Sequence, residues 1–477
     1  MTDYVTSKQV IDMSIYSKSY NSFLYPLYES IFRRRNTIKY LRELERNQWL
    51  TEEELKKIQW NKMKALLQHA YDFVPYYKDA FNALKLRPSD IEKPQDFTRL
   101  PILTKESIQN KGVLLQAENY SGMNTSSNET GGSTGEPIRF VFPRDSYEWR
   151  MAAAMRSNKW TGWEPGKNTT LIWGSPVTKR HPFIHAKIGL HHFLMRRQYI
   201  NAFHLSEQQL KSQIEKINEF EPEFIESYVS SLYKIAKYIY ENNIKCVRPK
   251  AIITSAEMLY PHQRELIEKI FESRIFNRYG CSEVMLIAAE CERHDGMHLN
   301  VDNLYIEFLK DNKAVKPGES GEIVLTDLNN YGMPFIRYKV GDIGIPLADR
   351  CGCGRGLPLM ENIEGRSVDI LLTSDGHFIQ PQMFCFLFNE FDWIRQYQIY
   401  QKSRGHLTFR IVRKNDIFES DKNYFVKRVN EVMRGKVEIN LEFVNEIPLT
   451  RSGKFRLVVS DIPSDFQEKE KEVETAV

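Results

Sequence analysis

The sequence has few cysteines, almost no net charge and no long apolar run. Its 6 cysteines among 477 residues are too few for the disulfide framework of a secreted scaffold. Lys and Arg total 66 against 62 Asp and Glu, and so small a basic surplus argues against a nucleic-acid partner. No segment has the ~18 apolar residues of a membrane span, and the opening residues, MTDYVTSKQV, do not resemble a signal peptide. We therefore expect a cytoplasmic protein, with its oligomeric state open.

What is present is typical of a globular protein with more than one domain. Apolar residues make up 42% of the chain and charged residues 27%, which excludes a mostly disordered or fibrous protein. At roughly 150 residues per domain, the length allows about three such units. No internal repeat of about 20–50 residues is visible, which excludes a solenoid or a propeller.

The residue pattern changes from helical to alternating strands and helices near residue 100. Before that point, Thr51 and Glu54 have the spacing of a capping box at a helix start. After it, short apolar runs at 169–173, 251–254 and 275–279 indicate strands, with helical periodicity between them. This alternation predicts an α/β fold with a mostly parallel sheet covered by helices.

A second change near residue 366 indicates a domain boundary. Residues 303–327 still read as a hairpin of the larger unit. The smaller unit has an α+β pattern, with two strands and a helix at 398–400, 407–412 and near 421–434. We therefore predict a large N-terminal domain over 1–365 and a small C-terminal domain over 366–477.

An aromatic-rich stretch from Tyr16 to Tyr40 contains the run Arg33-Arg34-Arg35. Charge runs usually lie on a solvated helix face, so we expect such a face here beside an apolar stripe that joins the core. Contact with anionic lipid or with a protein partner is the alternative.

The segment Glu129–Pro137 contains three glycines and three hydroxyl residues within seven positions. Glycines let backbone N–H groups approach a ligand, and hydroxyls add donors, so such a loop can surround phosphate oxygens. A flexible surface linker is the alternative interpretation, because Gly/Ser clusters are often loops.

The run Tyr279-Gly280-Cys281-Ser282-Glu283 follows a predicted strand directly. Ligands collect at the carboxyl ends of strands in α/β sheets. The tyrosine ring could stack on a base, and the carboxylate four residues later could hold Mg²⁺. A core tyrosine beside a surface glutamate is the alternative.

Three further short motifs are weak when each is taken alone. Asp342 follows a glycine in Arg337–Asp342, where a carboxylate could accept hydrogen bonds from ribose hydroxyls. The other two motifs are Gly365–Asp369 and the basic glycine turn Arg451–Lys454. Ordinary turns explain each of them equally well.

Taken in order, the five motifs resemble those of the adenylate-forming superfamily. The likeness is greatest to the phenylacetate-CoA ligase branch, in particular to its relatives encoded with capsular polysaccharide genes. It extends over nearly the whole chain, including Val74–Tyr77 and Leu100–Lys105. The resemblance implies a large domain, a hinge and a small mobile domain.

The resemblance also implies a role for each motif residue. The phosphate loop would comprise Thr130, Gly131, Gly132, Ser133, Thr134 and Gly135. The adenine side would comprise Ser255, Ala256, Glu257, Tyr279, Gly280 and Ser282. Glu283 would bind Mg²⁺, Asp342 the ribose hydroxyls, and Arg366 the ribose or a phosphate. Asp369 would be the hinge, and Lys454 the lysine that reaches in for adenylation.

The sequence departs from the usual pattern of these relatives at three places. Gly131 stands where many have serine, and Ile138 stands where a lysine often follows the loop, although Arg139 comes next. Tyr338-Lys339 stands where Tyr-Arg is commoner. The change at Ile138 puts the phosphate handling of the loop in question.

The resemblance implies ATP- and Mg²⁺-dependent conversion of a small carboxylic acid to an acyl-adenylate, with release of pyrophosphate. Transfer to CoA or to a carrier-protein thiol would follow, and a role in surface polysaccharide synthesis is suggested. Such a site must offset charge repulsion of about 4 kcal/mol per pair of anions at ~4 Å, so cationic groups must converge on it. Formation of an AMP ester or amide, and a non-catalytic binding scaffold, are the alternatives.

Cysteine and histidine spacing predicts a zinc site. Cys291, Cys351 and Cys353 would supply three thiolates, and one histidine would complete a tetrahedron. His298 is preferred because Gly296-Met297-His298 resembles relatives of this branch, and His294 is the alternative. Buried free thiols are the competing interpretation.

Four histidines lie close together in the chain, and we expect them on the substrate side of the pocket. They are His181, His185, His191 and His192. No hydroxyl near them has a visible base, so no serine-type triad is assigned.

Overall fold

A computed structural model describes most of the chain. The described residues are 20–120, 125–129, 138–174, 189–202, 207–361, 363, 365–366, 371–373, 378–379, 384, 387–388, 390–433, 435, 437–448 and 456–462. Within them no helix is long and apolar enough to cross a membrane.

The described part of the first hundred residues, from residue 20 onward, is helical, as predicted. Thr51 caps the longest helix, since its side chain accepts from the Glu54 N–H and Glu54 binds the Thr51 N–H in return. The capping box is therefore confirmed. The helical elements of this part are Tyr20–Leu24, Tyr25–Leu27, Tyr28–Phe32, Thr37–Asn47, Glu52–Phe73, Pro75–Ala83, Pro88–Asp90, Pro94–Phe97, Lys105–Lys111 and Glu118–Tyr120.

The largest sheet has eight strands. Five neighbouring strands run parallel, and three at one side are antiparallel. In spatial order they are Arg197–Asn201, Thr169–Trp173, Phe224–Tyr228, Ala251–Ser255, Ile275–Tyr279, Ala288–Glu290, Met297–Leu299 and Leu359–Met360. The predicted strands and the mostly parallel arrangement are confirmed.

Helices cover both faces of this sheet. Ile225, Ile252 and Ile275 pack with the apolar sides of three helices on one face. Phe224 and Ala251 alternate with them and pack on the other face with the helix Arg144–Lys159. Because both faces are buried, most residues of these strands are apolar. The three helices of the first face are Glu207–Phe220, Val229–Glu241 and Pro261–Phe271.

A second sheet has five antiparallel strands. Leu304–Lys310 pairs with Gly321–Asp327, so the predicted 303–327 hairpin is confirmed. In spatial order the strands are Lys313–Ala314, Leu304–Lys310, Gly321–Asp327, Tyr338–Gly344 and Gly365–Arg366. This sheet shares a core with helix Glu52–Phe73.

Two buried ion pairs join helix Arg144–Lys159 to neighbouring parts of the fold. Arg150 contacts Asp327 at 2.8 Å, and Arg156 contacts Asp302 at 2.7 Å. Every partner is at least 98% buried as a side chain, and removing one member of such a pair would leave an unpaired buried charge.

The C-terminal part has its own four-stranded sheet and its own apolar cluster. Ile394–Ser403 pairs with His406–Arg413, and the helix Glu419–Val432 packs on them. The predicted strands and helix are thus confirmed. The outer strands are Glu438–Phe443 and Val458–Ser460, and two separate pairs are Thr125–Glu129 with Arg139–Pro143 and Leu371–Leu372 with Phe378–Ile379.

Candidate nucleotide site and candidate metal centre

The turn after strand Ile275–Tyr279 needs glycine at position 280. The Met285 N–H donates to the Cys281 carbonyl at 2.8 Å, and the Ile287 N–H donates to the Tyr279 carbonyl at 2.9 Å. This return of the chain leaves no room over Gly280, where an added Cβ would lie 1.8 Å from the Met285 carbonyl oxygen. The glycine therefore fixes where the residues on either side of it stand.

Two tyrosine–carboxylate hydrogen bonds join this turn to strand Tyr338–Gly344. The Tyr279 hydroxyl donates to Asp342 at 2.7 Å, and the Tyr338 hydroxyl donates to Glu283 at 2.6 Å. Tyr338 and Glu283 are buried, with 0% and 4% exposure. Two motifs that are far apart in the sequence are thus brought together at one sheet end.

The neighbouring thiol and phenol stay protonated at neutral pH. Burial is the main cause that raises the pKa of Cys281 and of Tyr338 well above their usual values, and the nearby Glu283 carboxylate is the second cause. Tyr338 can therefore act as a hydrogen-bond donor to Glu283. The thiol and the phenol therefore add no negative charge to the site at neutral pH, and carboxylate oxygens are the groups there that suit a cation.

The strand Gly365–Arg366 places a third motif beside Asp342. Asp342 and Arg366 are backbone partners in the antiparallel register. The described residues include the backbone of Arg366 but not its side chain. Its predicted contact with ribose or phosphate stays a prediction.

The segment Ser255-Ala256-Glu257 lies at the carboxyl end of the parallel strands. Ser255 pairs with Arg278 in register, and Ala256 has a left-handed φ of 72°, which turns the chain sharply. Glu257 accepts from the N–H and the hydroxyl of Ser230, at 2.6 and 2.9 Å. Glu257 therefore caps the start of helix Val229–Glu241, and its predicted nucleotide contact stays a prediction.

A charged cluster on the sheet was not found from the sequence. Arg278, next to Tyr279, pairs with Glu226 and donates to the side-chain oxygen of Asn158 at 2.8 Å. Burial alone would raise the pKa of Glu226, but the guanidinium groups of Arg278 and Arg197 lower it overall. The available signal was a charged residue inside each of two mostly apolar strands.

Several predicted residues lie outside the described residues. They are the loop Thr130, Gly131, Gly132, Ser133, Thr134 and Gly135, the hinge Asp369, Lys454, His181 and His185. The strands that border the loop in the chain, Thr125–Glu129 and Arg139–Pro143, pair as an antiparallel ladder.

Two of the predicted pocket histidines lie next to the N-terminal helices. His191 stacks with Tyr28 at a ring-centre distance of 6.2 Å. Burial and the Arg197 guanidinium lower the pKa of His191 to about 4, so its ring is neutral at pH 7. His192 lies next to His191, and burial likewise lowers its pKa.

Four predicted ligands form a compact cluster. Donor atoms of Cys291, His298, Cys351 and Cys353 all lie within 4.8 Å of one another. The Cys291 and Cys351 sulfurs are 3.5 Å apart, and the Cys353 sulfur is 3.3 Å from Nε2 of His298. Three sulfurs and one imidazole nitrogen at this spacing are a donor set that suits tetrahedral zinc.

The surroundings of the cluster also suit a metal. Nδ1 of His298 is 3.1 Å from the Leu357 carbonyl oxygen, which would direct Nε2 to the thiols. Burial raises the pKa of Cys291 and of Cys351. Burial also opposes ionisation of Cys353, but the backbone N–H and guanidinium of Arg355 lower its pKa overall. A thiolate is the form that binds metal.

The alternative ligand, His294, points elsewhere. Its Nδ1 lies 3.3 Å from a carboxylate oxygen of Glu290. Residue 294 is in a left-handed conformation, with φ 57°, whereas His298 belongs to strand Met297–Leu299. The structure therefore brings His298 to the three thiols.

The fold is similar to that of a solved acyl-CoA ligase. The crystal structure of 2-hydroxyisobutyryl-CoA ligase in the postadenylation state, in complex with R3-HIB-AMP, matches with a TM-score of 0.70 at 19% identity. The match covers 90% of this chain and 94% of that one. The same ligase with 2-HIB-AMP and CoA in the thioesterification state gives 0.58 at 19% identity, over 90% and 93% of the two chains.

Curated relatives carry more specific names. CapK of Staphylococcus aureus is 27% identical over 391 residues, covering 77% of this chain and 81% of that protein. The phenylacetate-coenzyme A ligase of Escherichia coli (strain K12) is 25% identical over 367 residues, covering 74% and 81%. Residues 371–461 match the family described as the CapK C-terminal domain.

The chain is therefore similar to CapK and to phenylacetate-CoA ligases over about three quarters of its length. The relationship and the α/β fold class predicted from the sequence are confirmed. The predicted enzyme class, an adenylate-forming acid–thiol ligase, is confirmed at the level of these homologues.

Proposed function

We propose that this protein activates a small carboxylic acid with ATP, forms an acyl-adenylate, releases pyrophosphate, and then transfers the acyl group to CoA. The observation that carries the proposal is the pair of hydrogen bonds from Tyr279 to Asp342 and from Tyr338 to Glu283. They assemble an aromatic ring and two carboxylates at the carboxyl end of the parallel strands, where α/β sheets bind ligands.

Each residue of this cluster has a proposed part. The Tyr279 ring packs on adenine, and Asp342 accepts hydrogen bonds from the ribose hydroxyls. Glu283 is the residue that would hold Mg²⁺, because its buried carboxylate is oriented by the Tyr338 hydroxyl and oxygen ligands suit this ion. When bound, Mg²⁺ neutralises phosphate charge.

The remaining cationic and hydrogen-bonding groups come from motifs next to this cluster or elsewhere in the chain. The backbone N–H groups and hydroxyls of Thr130–Gly135 surround the outer phosphates. Arg366, the backbone partner of Asp342 on the neighbouring antiparallel strand, contacts ribose or phosphate. Lys454 brings a positive charge to the reacting phosphate, where charge repulsion is greatest.

We propose that residues 1–365 and 366–477 move relative to each other about Asp369. A lysine on the smaller domain can then enter for adenylation and leave for acyl transfer. Of the two acceptors predicted from the sequence, CoA is favoured over a carrier thiol because the phenylacetate relatives are named as coenzyme A ligases. We further propose that the reaction serves surface polysaccharide synthesis in the cytoplasm, and the similarity to CapK supports the polysaccharide role.

We also propose that Cys291, His298, Cys351 and Cys353 hold a structural zinc ion. The four residues join the strands Met297–Leu299 and Ala288–Glu290 to the loop around residue 352. A closed set of four protein ligands leaves no open position for catalysis. The metal would therefore stabilise the fold.

The test of the proposed reaction is acid-dependent ATP–pyrophosphate exchange with a panel of carboxylic acids. Lys454→Ala should reduce exchange strongly, and Lys427→Ala, an exposed lysine of helix Glu419–Val432, should not. Undiminished exchange in Lys454→Ala would refute the proposed role of this lysine. Product mass spectrometry with and without CoA separates a thioester from an AMP ester or amide, and absence of ATP binding by calorimetry would favour a scaffold.

A further inference from the structure

In the helical segment formed by residues 20–32, most of the large aliphatic and phenylalanine side chains face outward, which is the reverse of the usual arrangement. Tyr20, Tyr25 and Glu29 are buried against the protein. Five large apolar side chains of the same segment are exposed, and we call them the outer face. They are Phe23, Leu24, Leu27, Ile31 and Phe32, with exposed fractions of 75%, 49%, 46%, 62% and 75%. Tyr20 and Tyr25 provide the expected apolar contribution to the core, whereas these five residues lie outside it.

Specific contacts anchor the inner side of this segment. The Tyr20 hydroxyl lies 3.2 Å from the Met195 sulfur, and the Tyr25 hydroxyl lies 3.5 Å from the Met155 sulfur. The Tyr20 and Tyr25 rings are 5.9 Å apart. The inner side is therefore fixed, and the outer face belongs to the surface of the folded protein. A contiguous exposed apolar patch of this kind usually marks a binding site.

The exposed charge at the end of the outer face is positive. Glu29 is the one acidic residue between positions 20 and 36, and its carboxylate is buried, 3.8 Å from Arg35. Arg34 is exposed, and the Arg33 guanidinium lies over the Tyr28 ring at 5.5 Å.

We propose that the outer face and the run Arg33–Arg35 form a docking surface for an anionic phospholipid membrane. Apolar side chains of an interfacial helix enter the boundary between headgroups and acyl chains, and adjacent arginines bind anionic headgroups. Each basic residue near such a surface contributes roughly 1 kcal/mol, or about fivefold in affinity. The proposal does not depend on the proposed enzymatic activity.

The charges favour a membrane over a second copy of this chain. A two-fold interface presents the same patch from both subunits, so two cationic ends would border one contact. Within residues 20–36 the only acid, Glu29, is buried and already pairs with Arg35. A negatively charged lipid surface supplies the complementary charge that this stretch lacks.

The test is co-sedimentation of the full chain with phosphatidylcholine vesicles, either pure or mixed with phosphatidylglycerol. The mixed vesicles should bind the protein on the order of tenfold or more tightly than the pure ones. The double variant Phe23→Ser/Ile31→Ser should weaken binding by about tenfold or more, because it removes two exposed apolar side chains that enter the membrane in the proposed complex. Arg34→Gln should weaken it about fivefold.

The matched control changes exposed apolar residues elsewhere. Val113 and Phe418 are 83% and 74% exposed, and Val113→Ser/Phe418→Ser should bind vesicles like the parent. Circular dichroism should show the same melting temperature for the parent and for the two double variants. The absence of binding to either vesicle, or equal weakening by both double variants, overturns the proposal. A parent dimer in sedimentation velocity that Phe23→Ser/Ile31→Ser dissociates would assign the surface to a second copy instead.

Discussion

The Tyr279 hydroxyl donates a 2.7 Å hydrogen bond to the carboxylate of Asp342, across 63 positions of the sequence. The bond connects the end of a parallel strand in the large sheet to a strand of the second sheet. A ring proposed for adenine and a carboxylate proposed for ribose are therefore held at a fixed separation. This geometry is set before a ligand binds, which lowers the entropic cost of binding.

Removing the Tyr279 hydroxyl should weaken ATP binding more than it weakens the fold. Tyr279→Phe keeps the ring but removes its hydrogen bond to Asp342, and the loss of one hydrogen bond of about 1 kcal/mol should raise the KM for ATP about fivefold. Pyrophosphate exchange at varied ATP concentration measures this. The control is Tyr240→Phe, at a position that is 57% exposed. An unchanged KM for ATP would argue against the role of Tyr279–Asp342 in nucleotide binding.

Removing the Tyr338 hydroxyl should instead destabilise the protein. Tyr338→Phe leaves the buried Glu283 carboxylate without the donor that lies 2.6 Å away, at a cost of about 1–3 kcal/mol. Urea unfolding measures the change, and Mg²⁺ dependence of exchange shows whether Glu283 has also moved. Wild-type stability in this variant would mean that Glu283 gains little from the contact.

Adding one methyl group at position 280 should disrupt the turn. The Cβ of Gly280→Ala would lie 1.8 Å from the Met285 carbonyl oxygen, and backbone atoms cannot yield by rotamer change. We expect a loss of several kcal/mol, on the order of 3 or more, in thermal or urea unfolding. Gly189→Ala is the matched control, since a Cβ there has no atom within 4 Å. Equal melting temperatures for both variants would contradict the close approach.

The Glu226–Arg278 pair should make stability depend on pH. The folded-state pKa of Glu226 is lowered, so its contribution is present above the unfolded value of about 4.3 and is lost as pH falls through the folded value. Glu226→Gln should cost about 3 kcal/mol at pH 7, and the difference from the parent should shrink below about pH 4. Unfolding by urea across this range measures it. The control Glu241→Gln, at an exposed position, should have nearly the stability of the parent at every pH. A stability difference between Glu226→Gln and the parent that does not change with pH would contradict the lowered pKa of Glu226.

Metal analysis tests the candidate zinc centre. Purified protein should contain about one zinc per chain, and a chelator should lower the melting temperature because metal binding stabilises the folded state. Cys291→Ser should lose the metal, whereas Cys246→Ser, outside the cluster, should keep it. Metal-free protein with freely alkylated thiols at Cys291, Cys351 and Cys353 would refute the site.

Local sequence determined the individual elements well. The strand Thr169–Trp173 follows from a short apolar, β-branched run, and the helix beginning at Glu52 follows from the capping box at Thr51. These signals depend on neighbours within a few positions, so one chain suffices to read them. The five motifs in order also indicated the class of enzyme.

Contacts between distant residues were decided by the tertiary structure. From the sequence, Tyr279 could bind a nucleotide or belong to the core, and the fold pairs it with Asp342. From the sequence, either His294 or His298 could complete the metal site, and the fold brings His298 to the thiols. Arg278 with Glu226, and the exposed side of residues 20–32, were not foreseen. Local propensity sets which residues form a strand or helix, but strand order and packing set which side chains meet, and these depend on the whole chain at once.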